Sequence, residues 1–331
     1  MIQSKLPERG SLRARAVRRL LVLLACAVLP AVAWFAYSER QNTLDVPFPT
    51  QAELRSSRDR AAAWIVRRRS SVLSENNTML WLFVREAGRL SNDPQLLALS
   101  TEFQAEYTNG TISRFFFDST DIDRVREASI PLGNEWQDYQ RLFVYGATCN
   151  VPLRSDPDVV ALLSPSACDS GHHWLRNPWC RTHQLMGLRL VQKNSCEPDE
   201  ATARTIQEVQ AGILTELNWD FRVEDAYLQK VWTLIESGRR SDIKAVWVRR
   251  ILDAQRADGG WSGPDVIAPL PGERAFFWQG SLIPRVGSAP ASDFHATAQG
   301  LYLMALLSNP GARLSDAPTP QRPRKSRVPS G

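Results

Sequence analysis

Histidine is scarce in this 331-residue chain, with four residues against 40 Lys and Arg and 35 Asp and Glu. Imidazole chemistry is therefore confined to His172, His173, His183 and His295. Strand-type alternation is nearly absent, the longest instance being Thr111 to Phe117, which excludes an all-β architecture. An excess of positive charge is missing from the body of the chain. The excess positive charge sits in residues 1–37 and 309–331, and the stretch between them is mildly acidic. A polyanion surface needs grouped Lys and Arg, so nucleic acid is not an expected partner. Cysteine is sparse too, at five residues, and Cys26 falls inside an apolar N-terminal run.

That run, Leu20 to Tyr37, is uncharged and follows Lys5, Arg9, Arg13, Arg15, Arg18 and Arg19. Its length approaches the ~17–25 residues that cross a bilayer core, and Trp34 and Tyr37 stand where interfacial aromatics belong. The arginines place the N-terminus in the cytoplasm and the remainder outside, an inner-membrane single-pass topology with a periplasmic domain. Two other readings share the segment. Ala31-Val32-Ala33 fits a signal-peptide cleavage site, and Leu23-Leu24-Ala25-Cys26 resembles a lipobox. The expected organisation is a basic segment over 1–19, a transmembrane anchor over 20–37, a tether over 38–49, a helical domain over 50–308 and a disordered Pro-rich tail over 309–331.

The domain reads as helical almost throughout. Thr50-x-x-Glu53 is a capping box opening a helix through Leu73. Very apolar helices are expected at Thr78–Gly88, Tyr139–Gly146, Gln184–Val191, Ala226–Ile235 and Ala296–Leu307. Charged amphipathic ones alternate with them at Gln51–Leu73, Gln95–Tyr107, Glu200–Leu217 and Asp242–Gln255. A helix apolar all round is buried and one with a polar face lies outside, so the alternation predicts an α/α-barrel with inner and outer rings. Gly187 and Gly300 would let buried helices approach closely, and Val266 to Ala291, rich in Pro and Gly, reads as a long rim loop.

Four cysteines lie beyond the anchor, and Cys149, Cys168, Cys180 and Cys196 predict two disulfides in an oxidising compartment, with three connectivities open. The competing reading is zinc held by His172, His173, Cys180 and His183, which crowd a short stretch with Cys168. His183, His295 and Asn77 each stand at the start of an apolar helix. If those helices are inner ones they run parallel, and the three residues line one mouth toward which the helix dipoles are positive. Such a mouth suits a small polar or anionic group. Asn77 and its neighbour Asn76 are also favoured caps. Asp118, Asp121 and Asp123 read as a solvated acidic cluster.

One segment, Val248 to Trp261, ends Q-R-A-D-G-G-W. It resembles the Q-x-x-D-G-x-W repeat of the terpenoid cyclases and protein prenyltransferases, the α/α-toroid superfamily. The resemblance implies an all-α toroid in which Gln255 caps the next helix and Trp261 stacks on the Asp258-Gly259-Gly260 turn. The cyclases' D-x-D-D acid has no counterpart here, since Asp121-Ile122-Asp123-Arg124 lacks the last aspartate. The prenyltransferases' zinc ligands are matched only by the context of His295. What carries over is therefore the structural role of Gln255, Asp258, Gly260 and Trp261. The leading functional expectation is a membrane-anchored module that binds a small ligand or serves as a scaffold. The others are an envelope enzyme at the barrel mouth, with zinc and a lipid-linked or saccharide substrate, and a partner in a membrane complex.

Overall fold

Thr50 opens its helix as the capping box requires, its hydroxyl accepting from the Glu53 amide while Glu53 accepts from the Thr50 amide. The computed structural model describes residues 9–107, 126–127, 129–130, 132–133, 135–169, 177–223, 225–272, 274–278 and 285–309; the side chains at 9–16, 23–25, 27, 30–31, 265–269 and 278 fall outside that description. Thr111–Phe117, the Asp118–Asp123 cluster, His172, His173 and most of the C-terminal tail lie outside the described residues.

The chain is mostly helical. A long helix α1 (Arg9–Thr43) precedes α2 (Gln51–Arg67), α3 (Arg69–Leu73), α4 (Thr78–Ser91) and α5 (Pro94–Tyr107). Then come α6 (Asp138–Thr148), α7 (Val151–Arg154), α8 (Pro157–Leu162), α9 (Cys180–Lys193), α10 (Asp199–Trp219), α11 (Asp225–Glu236), α12 (Ala245–Ala254) and α13 (Phe294–Ser308). The expected helix over Gln51–Leu73 is broken at Arg68, whose backbone leaves the helical range. The rim segment expected as a loop instead contains three antiparallel strands, β1 (Asp265–Leu270), β2 (Arg274–Trp278) and β3 (Arg285–Ser288). The Pro271-Gly272 turn, with Gly272 at φ +72°, reverses β1 into β2 where sequence composition alone signals only loop.

The five apolar helices are the buried ones. α13 packs on α4, α11 and α2; α11 also meets α9, and α9 meets α6. Their aromatics interlock: Phe83 of α4 stacks on Tyr302 of α13 and meets Trp232 of α11 edge-on. The indole of Trp232 donates to Gln299 at 3.0 Å. Gly187 lets α9 approach α6, because a Cβ there would overlap Leu142. The charged helices cover this set, with α5 on α4, α10 on α9 and α12 on α11.

The repeat-like motif works as a clasp between chain-distant helices. Gln255 accepts from Ser57 (2.8 Å) and donates to the Ser57 and Gly259 carbonyls (2.9 and 2.8 Å). It thus binds the first helix of the domain, not the following one. Asp258 accepts from Trp64 (2.9 Å), Ser292 (2.7 Å) and the Gly260 amide (3.1 Å). Trp261 is fully buried, donates to the Ile251 carbonyl at 2.8 Å and lies flush against Gly300, where a side chain would collide with the indole.

The segment expected as a tether begins as helix. α1 runs unbroken through Thr43, and Asn42 is buried in a socket. Its amide donates to the Asp220 carbonyl (2.8 Å), its side-chain oxygen accepts from Tyr227 (2.8 Å) and Arg250, and its carbonyl accepts from Trp247 (3.0 Å). Beside it lies a buried ionic network in which Lys230 meets Asp220 at 2.7 Å and Glu216 at 3.0 Å, while Arg222 meets Asp220 at 2.8 Å. Among the described residues no helix is long and apolar enough to cross a membrane. Several side chains of the 20–37 stretch are not among them, while its backbone is helical throughout.

Cys149 joins Cys196, and Cys168 joins Cys180, so one of the three open pairings is realised. The bridge removes Cys180 from the candidate metal ligands, since its sulfur is bonded to carbon and sulfur and is not a thiolate.

Candidate functional site

Where the buried helices begin, a cavity of about 360 Å³ opens. Its polar lining is Glu75, Asn77, Trp179, Asp225, Asp293 and His295, with Leu80, Phe294 and Pro264 between them. All of these groups but Glu75, which lies between α3 and α4, are placed by a helix start. Asn77 caps α4, accepting from the Met79 and Leu80 amides (3.2 and 3.4 Å). Trp179 precedes α9, Asp225 is the first residue of α11, and Asp293 caps α13.

Asp293 takes the Ala296 amide at 2.8 Å on one oxygen and the Gly263 amide at 2.6 Å on the other. Asp225 faces the cavity with one oxygen held by the Gln299 amide and lying 3.8 Å from His295 Nε2. Burial pushes the Asp225 carboxyl above the ordinary carboxylate range. The negative charge of Asp293 pushes the same way, against His295 and the Gln299 amide. His295 is the single exposed residue of α13, every other side chain of that helix being buried. A helix so uniformly apolar has no packing reason to show a histidine at its mouth.

Of the three residues expected at one mouth, Asn77 and His295 line the cavity. His183 sits behind it, stacked on Tyr139 with ring centroids 4.0 Å apart and edge-on to Phe143. Thr182 lies 2.7 Å from Gln229 Oε1, so the hydroxyl orients that amide and its nitrogen donates to His183 Nε2 at 3.1 Å. The His183 proton therefore belongs on Nδ1. Burial, with repulsion from His295, lowers His183 to about 3 from an ordinary 6.5. Above pH 6.5 both folded and unfolded chains carry it neutral. As pH falls from 6.5 toward 3, only the unfolded chain takes up the proton, so stability is lost across that window. Urea midpoints measured against pH are expected to show a shallower acid decline between 6.5 and 3 for His183→Gln than for the parent.

Of the small polar or anionic group expected at this mouth, the three carboxylates Glu75, Asp225 and Asp293 favour the polar option over the anionic one, since they outweigh the helix dipoles as sources of field. Asp225 and Asp293 escaped the sequence reading although they obey its own rule. Each is a polar residue at the start of a very apolar helix, as Asn77 and His295 are. Glu75 and Trp179 carried no such signal. Among the described residues no group of three or more His, Cys, Asp and Glu has an arrangement that could hold a metal ion. No protein-family model, curated protein or solved structure matches this chain.

Proposed function

We propose that the protein is a membrane-anchored, extracytoplasmic α/α-toroid whose rim cavity binds a small, neutral, polyhydroxylated ligand. The observation that carries the reading is the convergence of Asn77, Asp225, Asp293 and His295, from three separate buried helices, on one cavity with Glu75. Carboxylates accept strongly from hydroxyls, Asn77 and His295 add polar partners, and Trp179 offers an aromatic face to a ring's C–H side. The same carboxylates repel anions. The volume lies in the range of small-molecule sites.

The toroid reading is supported by the order of neighbours among the buried helices: α6, α9, α11 and α13 follow one another, and α13 returns to α4. Membrane insertion is supported by the length of the 20–37 stretch and by the exposure of Leu20, Leu21, Val28, Leu29 and Val32 on a continuous helix. Two disulfides suit an oxidising compartment. A scaffold or a complex subunit gives these converged groups no use. An enzymatic reading is favoured by one observation, the elevated Asp225 carboxyl beside His295, a pairing able to hand a proton to a bound ligand.

Titration calorimetry of the full chain in detergent against methyl glycosides of the common hexoses tests the reading. One of them is expected to bind, and Asp225→Asn to weaken it by about 10- to 100-fold, the worth of one charge-assisted hydrogen bond. Absence of binding by every glycoside, or equal affinity in the variant, would overturn it.

A further inference from the structure

We propose that the polyhydroxylated ligand is the headgroup of a membrane lipid, drawn from the bilayer into which α1 inserts. This rests on reading the rim cavity as a polyol site and adds where the ligand comes from. The structural basis is the joint between α1 and the cavity wall. Asp225 lines the cavity, and two residues later on the same helix Tyr227 donates to Asn42 at 2.8 Å. Asn42 follows Tyr37, the end of the uncharged stretch, by five residues, about 8 Å of helix. With the reach of the two side chains included, the cavity wall at Asp225 lies within roughly 25 Å of that end.

A flexible tether would let this distance vary; an unbroken helix locked at Asn42 does not. Trp34 packs edge-on against Phe221 at 5.9 Å, just before α11, which fixes a second point on the helix. Around the joint, large apolar side chains are exposed among charged ones such as Arg40 and Asp45. Trp34, Tyr37, Leu44, Phe48 and Trp219 are all exposed large hydrophobic side chains. Aromatic side chains of this kind favour the zone between hydrocarbon and water. The interfacial layer extends several Å beyond the hydrocarbon on each side. A headgroup standing in it is therefore held within roughly 25 Å of the cavity at a fixed height, whereas a dissolved sugar gains nothing from a site held over a membrane. Confinement to the same surface raises the effective concentration of a lipid-borne ligand with no additional contact.

The test uses the full chain in phosphatidylcholine vesicles. Thermal unfolding midpoints are followed against methyl hexosides in solution and against the matching glycosyl diacylglycerols in the bilayer, at equal total concentration. The lipid-borne sugar is expected to act with an apparent affinity at least ~10-fold higher. A second variant carries a rigid EAAAK-type helical insertion after Tyr37, of about 20 residues, which raises the domain by ~30 Å. It is expected to lose that advantage and to keep its response to the soluble hexoside. Equal affinities for both forms in the parent chain, or an advantage that survives the insertion, overturns the lipid source and leaves the polyol site standing. No response to any sugar in either form sinks the polyol site itself.

Discussion

Replacing Asp220 by alanine is expected to lower the unfolding free energy by about 3–5 kcal/mol, the cost of breaking a buried ion pair from one side. Asp220 and Lys230 are both fully buried, 2.7 Å apart, and Arg222 reaches the same carboxylate. Opposing cations hold the Asp220 carboxyl far below the ordinary range despite its burial. Removing it takes a buried counter-charge from both cations, leaving Lys230 its contact with Glu216 at 3.0 Å. A second variant separates charge from shape. Asp220→Asn with Lys230→Met takes out one charge of each sign and is expected to recover part of the loss, because buried pairs stabilise little net once both partners leave. Denaturant titrations in detergent read this as a shift in midpoint at constant slope. A single alanine variant within ~0.5 kcal/mol of the parent would show that water reaches the network.

Trp261→Ala is expected to cost about 3–5 kcal/mol, as large buried aromatics do on truncation. The indole fills the space left by the absent side chain of Gly300 and satisfies the Ile251 carbonyl. Gly300→Ala alone is also expected to destabilise, since its new methyl would press on the ring. The two together are expected to be less harmful than their sum, the methyl entering part of the vacated volume. A double-mutant cycle with strictly additive losses would mean that the two sites do not share packing.

Sequence pattern reached far into this fold because the buried and the covering helices differ so sharply in composition. α13 is buried at every position but one, and an unbroken apolar run such as Ala296–Leu307 has only one place to go. Thr50 and Asn77 marked helix starts that the structure keeps, since a cap is a local transaction between one side chain and nearby amides. The strands over 265–288 were not legible: Pro269, Gly272 and Gly287 interrupt any period, and the pairing is set by tertiary register. The socket of Asn42 was hidden for a different reason. A polar residue after an apolar run looks like a tether until its partners, 176 to 208 positions away, are known. At the rim, two residues of the cavity were found by their place before apolar helices. The carboxylates that set its charge were missed because an aspartate at a helix start is explained equally well by capping.

Because Gln255 and α13 both close upon α2, the first helix of the domain has its main partners near the far end of the chain. During synthesis some tens of seconds separate their emergence from the ribosome, at ~5–20 residues per second. Through that interval the apolar side of α2, with Trp64 and Ile65, lacks its main partner and has only the neighbouring α3 and α5, so docking of α13, through the loop-closure cost of so long a span, is slow.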